Sequence, residues 1–530
     1  MGAAGAAGIP ELRRSASRWP PLGLAVASGA AALLVLLPIA WTAIEAITIA
    51  PADAASLLFR PLVGELLLNT LALVAVATIA AGVIGTAAAW FVERTALPGA
   101  RAWAVLVAVP LAIPAFITSY AWVSLSPGLQ DFAGALLVVT CSYYPLVYLP
   151  VAAALRGMDP ALEETARSLG QGALRCFARV VLPQLRPALF GGMLLVGLNT
   201  LTEFGAFALL RFRTFTTELY AEYRTGFSGP ESSLVAMVLI LLCVAFLVSE
   251  VAVRGRARYG RVARGTRRQP TKLELGWYRL PVFAGFAMLA AVTLGVPLGM
   301  ITYWLTQHGS SAISPVEVTP ALLISSTWSS VYLGMGGAAV TMVLAVPLGF
   351  MATRYEGKLI TLLERTSYLA QGVPGIVVAL ALVSLTVRAV RPLYQSTFLL
   401  VLAYAILFLP LALVSVRAAL VQAQPVLEDA GRSLGLGWMA VAQRIILPLA
   451  GPGLGAAAAL VFVSVVTELT ATLLLAPIGT RTLAIQVWAD TSTLAFAAAA
   501  PYAALMAVIS LASTWILARR FGRAGFDIAG

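Results

Sequence analysis

Two similar stretches of sequence decide the fold: LEETARSLGQG at residues 162–172 and, 265 positions later, LEDAGRSLGLG at residues 427–437. The match continues at the same offset, since ARVVLPQLRPAL at 178–189 aligns with QRIILPLAGPGL at 443–454. Chance is a poor explanation for agreement over both stretches. The chain therefore contains an internal repeat.

The offset changes once along the chain. Nearer the start of each copy it is 260 positions, which aligns Pro114 with Pro374 and Arg94 with Arg354. An insertion of five residues in the second copy, the difference between the offsets 265 and 260, therefore separates the two registers.

The composition is that of a membrane protein. Of 530 residues, 60% are apolar and only 11% are charged, whereas soluble domains are about 45–50% apolar and about 25% charged. A membrane-spanning helix needs about 20 apolar residues. Twelve stretches meet this requirement, at about 21–47, 66–91, 102–125, 132–155, 187–210, 232–250, 280–305, 328–352, 366–387, 395–416, 450–475 and 494–518. We predict an all-α polytopic membrane protein of about 12 transmembrane helices.

These spans divide into two membrane domains, 1–253 and 280–530, joined by a basic linker at 254–279. Because each domain holds six spans, the two repeats have the same orientation and a translocation path is expected between them. Placing both termini in the cytoplasm also leaves most of the 35 Lys and Arg residues on the cytoplasmic side. The linker then fixes topology or binds anionic lipid headgroups.

Both copies of the repeated motif carry the start and stop signals of a short cytoplasmic helix. A proline suits the first helical position, acids stabilise the first turn, and a glycine can close the helix in a left-handed conformation. A second short helix is then expected to end at a proline before the next span. In chain order these residues are Pro160, Glu163, Glu164, Gly170 and Pro183 in the loop at about 160–186, and Pro425, Glu428, Asp429, Gly435 and Pro448 in the loop at about 425–451.

Each first helix also has an apolar face, formed by Leu162, Ala166 and Leu169 in one copy and by Leu427, Ala430 and Leu434 in the other. A single amphipathic loop of this kind could lie on the lipid surface. Two matched loops, one in each half, favour instead paired docking sites for a soluble partner with two-fold symmetry.

These loops resemble the EAA loop of the permease subunits of binding-protein-dependent ABC importers, which reads Glu-Ala-Ala, three residues, then Gly. Glu164-Thr165-Ala166 followed by Gly170 differs at the middle position, and Asp429-Ala430-Gly431 followed by Gly435 differs at two positions but keeps the acid. The resemblance implies a coupling helix that sits in a groove of the ATP-binding subunit. It gives this role to Glu163, Glu164, Ala166, Arg167, Gly170, Pro183, Glu428, Asp429, Arg432, Gly435 and Pro448.

The resemblance covers almost the whole chain and looks closest to fused two-domain permeases of the ferric iron importer group. It is carried by PLAIPAFITSYAW from Pro110, TEFGAFALLRFRTFTTELY from Thr202, QGVPGIVVALAL from Gln371 and TELTATLLLAPIGTRTLAIQVW from Thr467. Permeases for thiamine, phosphonate, sulfate and polyamine share related segments and remain alternatives. The resemblance implies a bacterial inner membrane location, two copies of an ATP-binding subunit that use ATP and Mg, and a separate substrate-binding protein.

Other function classes find little support in the residues. No GxxxxGK[ST] stretch occurs, so ATP must be bound by another polypeptide. With His308 as the single histidine and no metal-ligand spacing, we expect no bound cofactor and no enzyme site. The net charge of +12 is distributed between apolar runs, which does not indicate a nucleic-acid interface.

Two acids fall inside predicted spans, Glu203 and Glu468, at the same 265-residue offset and each preceded by a threonine, Thr202 or Thr467. Intramembrane acids are functional candidates by default. These two either line the translocation path and offer transient oxygen ligands to a cation, or cap and pair within their own half. An ion-coupled carrier that uses both acids is the rival hypothesis, but it leaves the matched loops unexplained.

Prolines interrupt the third span of each half. Pro114 in one copy, and Pro374 with Gly375 in the other, free backbone carbonyls and are candidate hinges, although a rigid kink for packing is equally consistent with them. The nearby tyrosines at 143, 144 and 148 lie at a predicted span surface, where an aromatic belt is expected.

Overall fold

A computed structural model describes residues 20–159, 161–226, 229–254, 272–307 and 318–521. Pro160, most of the basic linker, His308 and both chain ends lie outside these ranges. In lipid each backbone N–H and C=O must be satisfied within the chain, which favours helices for apolar runs. The described residues form helices throughout, and within these ranges the only β feature is an isolated bridge between Thr95 and Leu273.

The helices of the first half are α1 (Leu22–Ile47), α2 (Pro51–Leu58), α3 (Pro61–Arg94), α4 (Ala100–Ala108), α5 (Ala115–Leu125), α6 (Phe132–Tyr143), α7 (Pro145–Gly157), α8 (Ala161–Ser168), α9 (Ala173–Cys176), α10 (Leu182–Thr202), α11 (Gly205–Leu209), α12 (Phe215–Gly226) and α13 (Gly229–Arg254). Those of the second half are α14 (Arg279–Ala290), α15 (Val296–Thr306), α16 (Pro320–Arg354), α17 (Lys358–Leu369), α18 (Gly375–Ala389), α19 (Thr397–Gln422), α20 (Pro425–Ser433), α21 (Trp438–Val441), α22 (Leu447–Val466), α23 (Thr470–Leu475), α24 (Leu483–Ser492) and α25 (Phe496–Phe521).

The prediction of about 12 membrane helices is confirmed. Among the described residues, ten helices are long and apolar enough to cross a membrane, and counting each of two bent helix pairs as one span brings the number to 12. The bent pairs are Ala100–Ala112 with Ala115–Leu125, at 91°, and Lys358–Gly372 with Gly375–Ala389, at 103°. Each half therefore has six crossings, and α8 and α20 lie on one face of the molecule. We call this the coupling face and the opposite side the far face.

The two halves are interlocked rather than side by side. Helix α1 packs against α16, α17 and α18 of the second half, while α15 of the second half packs against α5 of the first. One buried cluster accordingly joins Phe204 and Phe215 of the first half to Ile376 and Ala471 of the second. Because the cores are shared, a movement of one half is transmitted to the other through packed side chains.

The expected proline break before the fifth span of each half is wrong. Pro183 and Pro448 lie in the first turns of α10 and α22, and a π-helical turn joins each of these helices without interruption to the short helix before it. In the first loop the N–H of Leu182 donates to the carbonyl of Phe177, five residues back. This wider turn accommodates a residue that has no N–H of its own, so the helix continues.

Candidate coupling and translocation sites

A buried ion pair holds the first coupling loop. Arg94, the last residue of α3, places Nη2 2.9 Å from Oε1 of Glu163 in α8, and both side chains are almost fully buried. The approach lacks the alignment of a hydrogen bond, and Nη2 has no other partner within the described part of the chain. Arg167, one turn along α8, lies 3.8 Å from the other carboxylate oxygen. Glu163 therefore faces the membrane helices and anchors the loop to α3.

The second coupling loop is held in the same way but with more bonds. Arg354, at the end of α16, places Nε 2.8 Å and Nη2 2.7 Å from Oε1 of Glu428 in α20. It also donates to the carbonyls of Leu420, at 3.2 Å, and Ala423, at 2.5 Å. This arginine therefore joins the end of α16, the end of α19 and the coupling helix at one point.

Both coupling helices end as the glycines predict. Gly170 has φ +80° and Gly435 has φ +83°, which is the left-handed region that an L side chain adopts only with strain. Beyond Gly170 the N–H of residue 171 donates to the carbonyl of Ala166 at 3.1 Å, and beyond Gly435 the N–H of residue 436 donates to that of Gly431 at 3.1 Å. Each loop thus closes in a Schellman motif that fixes how the helix projects.

The outward surface of each loop is apolar. Leu169 is 76% exposed and Leu434 is 82% exposed, beside a row of further exposed side chains in Leu162, Leu427, Val426 and Trp438. The Asp429 side chain is 76% exposed, 3.9 Å from Arg432, and Glu164 is half-buried. A pair of exposed apolar helices with charges at their edges is a surface suited to a protein partner.

The glycine at position 431, one of the two departures of the second loop from the EAA pattern, has a packing cause. Ala166 is buried, and its counterpart is Gly431. A Cβ at Gly431 would lie 2.5 Å from Cδ1 of Ile445. The residue equivalent to Ile445 in the first loop is Val180, which has no Cδ1. The methyl group missing from Gly431 is therefore supplied by the neighbouring isoleucine.

The described end of the linker pairs with the end of α3, the helix that anchors the first coupling loop. Leu273 donates its N–H to the carbonyl of Arg94 and accepts from the N–H of Ala96, both at 2.9 Å. A backbone segment between the two halves thus reinforces the helix end that carries the Arg94–Glu163 pair.

Glu203 lies in the break between α10 and α11 rather than inside a continuous helix. Its Oε1 accepts from the N–H of Ala206 at 2.9 Å and so caps α11. Its Oε2 accepts from the hydroxyl of Tyr143 at 2.5 Å. The backbone carbonyl of Glu203 accepts from Thr216 at 2.6 Å. Both ends of this residue are therefore held by its own half.

Glu468 repeats the cap without the tyrosine. Its Oε1 accepts from the N–H of Ala471 at 2.8 Å, and Phe408 occupies the position equivalent to Tyr143. A Cβ at Gly375 would lie 3.3 Å from this oxygen, so the glycine permits the close approach. A Cβ at Gly205 would lie 2.9 Å from Cδ2 of Leu469, so the chain segments that follow the two acids meet across the two halves. Both carboxylates thus have a structural bond, and their role in the path stays a prediction.

The neighbouring residues named from the sequence are placed as follows. Thr202 donates to the carbonyl of Asn199 at 3.3 Å, and Thr467 to that of Val463 at 2.9 Å, so both hydroxyls turn to their own helices. Pro114 and Pro374 have φ −56° and −58° and precede the first residue of α5 and α18, at the two sharp bends.

The aromatic-belt interpretation of the tyrosines is wrong. Tyr144 and Tyr148 are at most 2% exposed inside the protein, and Tyr143 binds Glu203. The functional partner that the sequence analysis missed is therefore Tyr143. Its signal was the Tyr-to-Phe difference at the repeat offset. Among the described residues no group of three or more His, Cys, Asp or Glu side chains could hold a metal ion.

The sequence family described as "Binding-protein-dependent transport system inner membrane component" matches residues 85–257 and again residues 345–522. The chain belongs to this family. The two matches start 260 positions apart and end 265 positions apart, in agreement with the two registers of the repeat. A member of this family is a multi-pass permease of the inner membrane and not itself an enzyme.

Individual relatives carry more specific names. The chain is 36% identical over 495 residues to the Fe(3+)-transport system permease protein FbpB 2 of Haemophilus influenzae, covering 93% of this chain and 97% of the relative. It is 23% identical over 471 residues to the ferric transport system permease protein FbpB of Actinobacillus pleuropneumoniae, covering 82% and 68%. It is 29% identical over 250 residues to the sulfate transport system permease protein CysT of Salmonella typhimurium, covering 43% and 89%.

Proposed function

We propose that this protein is the permease of an ATP-driven importer and forms the translocation path for ferric iron delivered by a substrate-binding protein. The observation that carries the proposal is the pair of coupling loops. Each presents an exposed apolar helix, and each is tied by a buried ion pair to the end of a membrane helix, through Arg94 or Arg354. Force applied to either loop therefore reaches the spans directly.

Two copies of an ATP-binding subunit are the partners that such paired loops fit. They supply the ATP and Mg site, since this chain has no phosphate-binding loop. Both termini then lie in the cytoplasm with the coupling face, and the binding protein docks on the far face. We expect no cofactor bound by this chain.

Iron is the proposed cargo because the ferric permease relative aligns with both halves, over 93% of the chain, whereas the sulfate relative aligns with 43% of it. Sulfate, thiamine, phosphonate and polyamine are the alternative cargoes of the same architecture. Carboxylate oxygens suit a hard trivalent cation, so Glu203 and Glu468 are candidates for brief contact with it.

The transport cycle follows from these attachments. ATP binding draws the two ATPase subunits together, α8 and α20 move with them, and α3 and α16 carry the movement to the bends at Pro114 and Pro374. The far face opens when the coupling face closes, and hydrolysis reverses the preference. This is alternating access by a shift of populations between two states.

The test is uptake of radiolabelled ferric iron by cells whose only ferric importer is this system. The variant Leu169→Glu/Leu434→Glu places an acid on each exposed apolar helix and is expected to abolish both co-purification of the ATPase and uptake. The matched control is Ile478→Glu, an exposed apolar residue in the loop before α24 on the far face, which should leave ATPase attachment unchanged. Attachment and uptake that survive the double substitution would refute the coupling proposal.

The cargo is tested separately. Deletion of the gene should abolish ATP-dependent iron uptake and leave labelled sulfate, thiamine and phosphonate uptake unchanged. Loss of one of these with iron uptake intact would move the cargo while leaving the permease assignment in place.

A further inference from the structure

The five-residue insertion has a definite place in the fold. The first residues of α5 and α18, Ala115 and Gly375, are 260 positions apart. The first residues of the next helices, Phe132 of α6 and Thr397 of α19, are 265 positions apart. Helix α5 has 11 residues and α18 has 15. The insertion therefore lengthens α18 by about one turn at its end on the far face, and only in the second half.

A cavity of about 490 Å³ lies beside this extra turn. Helix α12 of the first half contributes Tyr223 and Arg224, and Gly229 lies at the start of α13. The second half contributes Ser384 and Arg388 of α18, with Tyr394 and two valines. The cavity thus lies between the two halves on the side where cargo arrives in the proposed function.

Arg388 is held in a fixed position at this cavity. Its Nη1 lies 3.2 Å from Oε1 of Glu45, a residue of α1 that is only 2% exposed. Glu45 in turn accepts from the hydroxyl of Ser233 at 2.8 Å and from that of Ser384. A Cβ at Gly229 would lie 2.7 Å from Nη2 of Arg388, so the glycine lets the guanidinium lie in this position without moving. The arginine side chain is still 48% exposed, which leaves part of the guanidinium available to a ligand.

The remaining lining adds donors and a second positive charge. Arg224 is exposed on the opposite wall. Burial, together with the neighbouring Tyr394, raises the pKa of Tyr223 to about 12, so its phenol stays neutral. None of the described residues that line the cavity is acidic. The nearby Glu222 accepts from Ser232 at 3.3 Å and is not part of the lining.

We propose that this cavity is a binding site for a small oxyanion that carries carboxylate or phosphate groups, held between Arg224 and Arg388. Guanidinium groups bind such oxygens through two parallel hydrogen bonds, and the phenol and serine hydroxyls add further donors. The volume is within the range of small-molecule sites. The equivalent place in the first half lacks the extra helical turn, so the described residues do not repeat the site there.

The consequence for transport rests on the proposed function. Glu45 balances the charge of Arg388, so the positive charge that a bare trivalent cation meets at the cavity is that of Arg224. An oxyanion that occupies the cavity neutralises Arg224 and supplies oxygen ligands to iron at the start of the path. Ferric iron uptake is therefore expected to depend on the oxyanion present.

The binding test uses the purified full chain in lipid nanodiscs and titration calorimetry with inorganic phosphate and, separately, citrate. We expect saturable binding of at least one of them. Binding should weaken at least tenfold in Arg224→Gln and in the double variant Glu45→Gln/Arg388→Gln, which removes both members of the ion pair together. Arg391→Gln is the matched control, because this exposed arginine lies three residues from Arg388 and does not line the cavity. It should bind as the parent does.

Each result has a distinct meaning. Absence of saturable binding, or equal weakening in the Arg391 control, overturns the cavity proposal whether or not iron is transported. If the isolated chain binds neither anion but Arg224→Gln weakens docking of the substrate-binding protein, the oxyanion is an acidic side chain of that partner and the small-solute proposal is wrong. Oxyanion binding by a chain that does not transport iron keeps the site and refutes the cargo.

Discussion

The two coupling loops share one design but distribute its bonds differently. Arg354 meets the carboxylate of Glu428 and two backbone carbonyls. Among the described residues Arg94 meets the carboxylate of Glu163, and its helix end is reinforced by the linker at Leu273. The second loop is therefore complete within its own half, whereas the first depends on the segment that joins the halves. The two equivalent docking sites of this fused chain are therefore held by different sets of bonds.

The same inequality appears in the packing under each loop. Ala166 with Val180 in the first half becomes Gly431 with Ile445 in the second. One methyl group has moved from the coupling helix to the helix beneath it, so the total volume is kept, and swaps that conserve volume are the best tolerated in a core. The departure from the EAA pattern at this position therefore does not indicate a weaker dock.

The largest effect is expected from breaking the better-bonded ion pair. Glu428→Gln leaves Arg354 as a buried charge without its counter-ion, which costs about 3–5 kcal/mol. The free energy of unfolding in detergent should fall by this amount, and by less for Glu163→Gln, because the Arg94 pair is less well aligned.

Asp429→Asn is the control, since this neighbouring acid is exposed and should change stability by no more than about 0.5 kcal/mol. Equal losses for Glu163→Gln and Glu428→Gln would show that the better alignment of the Arg354–Glu428 pair adds no stability and that the two ion pairs are equivalent.

A smaller effect is expected at the transferred methyl group. Gly431→Ala brings Cβ against the terminal methyl of Ile445, which can shift, so we expect a loss of about 1 kcal/mol. Adding Ile445→Val removes that methyl and should restore stability, and a double-mutant cycle by thermal unfolding measures the coupling. The mirror variant Ala166→Gly/Val180→Ile in the first loop should be close to neutral. Additive effects in the Gly431 cycle would contradict the compensation.

Much of this architecture was predictable because it depends on local chemistry and on self-alignment. Twelve apolar runs, the repeat and the helix-closing glycines at 170 and 435 need no knowledge of packing. The bond between Tyr143 and Glu203 does need it, because it joins residues 60 positions apart. The repeat offset also identifies Arg94 and Arg354 as equivalent residues, although it does not show what either of them binds. What each arginine binds became visible only when α8 and α20 were placed against the helix ends.

The far-face cavity shows a different limit. The sequence located an insertion of five residues but not its direction, since an added turn can extend a helix at either end or bulge from it. Only the packing of α18 against α12 and α1 shows that the added turn carries Arg388 to Glu45.

The smallest effect on stability is expected at Asp490, an acid of the second half. On the far face Glu222 of α12 has Ser232 as a partner, whereas Asp490 of α24 is buried and its Oδ2 has no hydrogen-bond partner among the described residues. Burial raises the pKa of Asp490 from its ordinary value of 3.8 to about 6. Below pH 3.8 the group is neutral in both states, and as pH rises towards 6 the unfolded chain ionises while the native one resists, so stability is lost.

Asp490→Asn removes this cost and should raise Tm by about 1–3 °C at pH 7.5, with the gain shrinking towards zero at pH 4. Thermal unfolding at the two pH values checks this, with the exposed Asp53→Asn as control. A lower Tm for Asp490→Asn at pH 7.5 would mean that the ionised carboxylate is stabilised by a partner on the far face. In that case the second half would match the first there, and the inequality of the halves would be confined to the coupling loops and the α18 insertion.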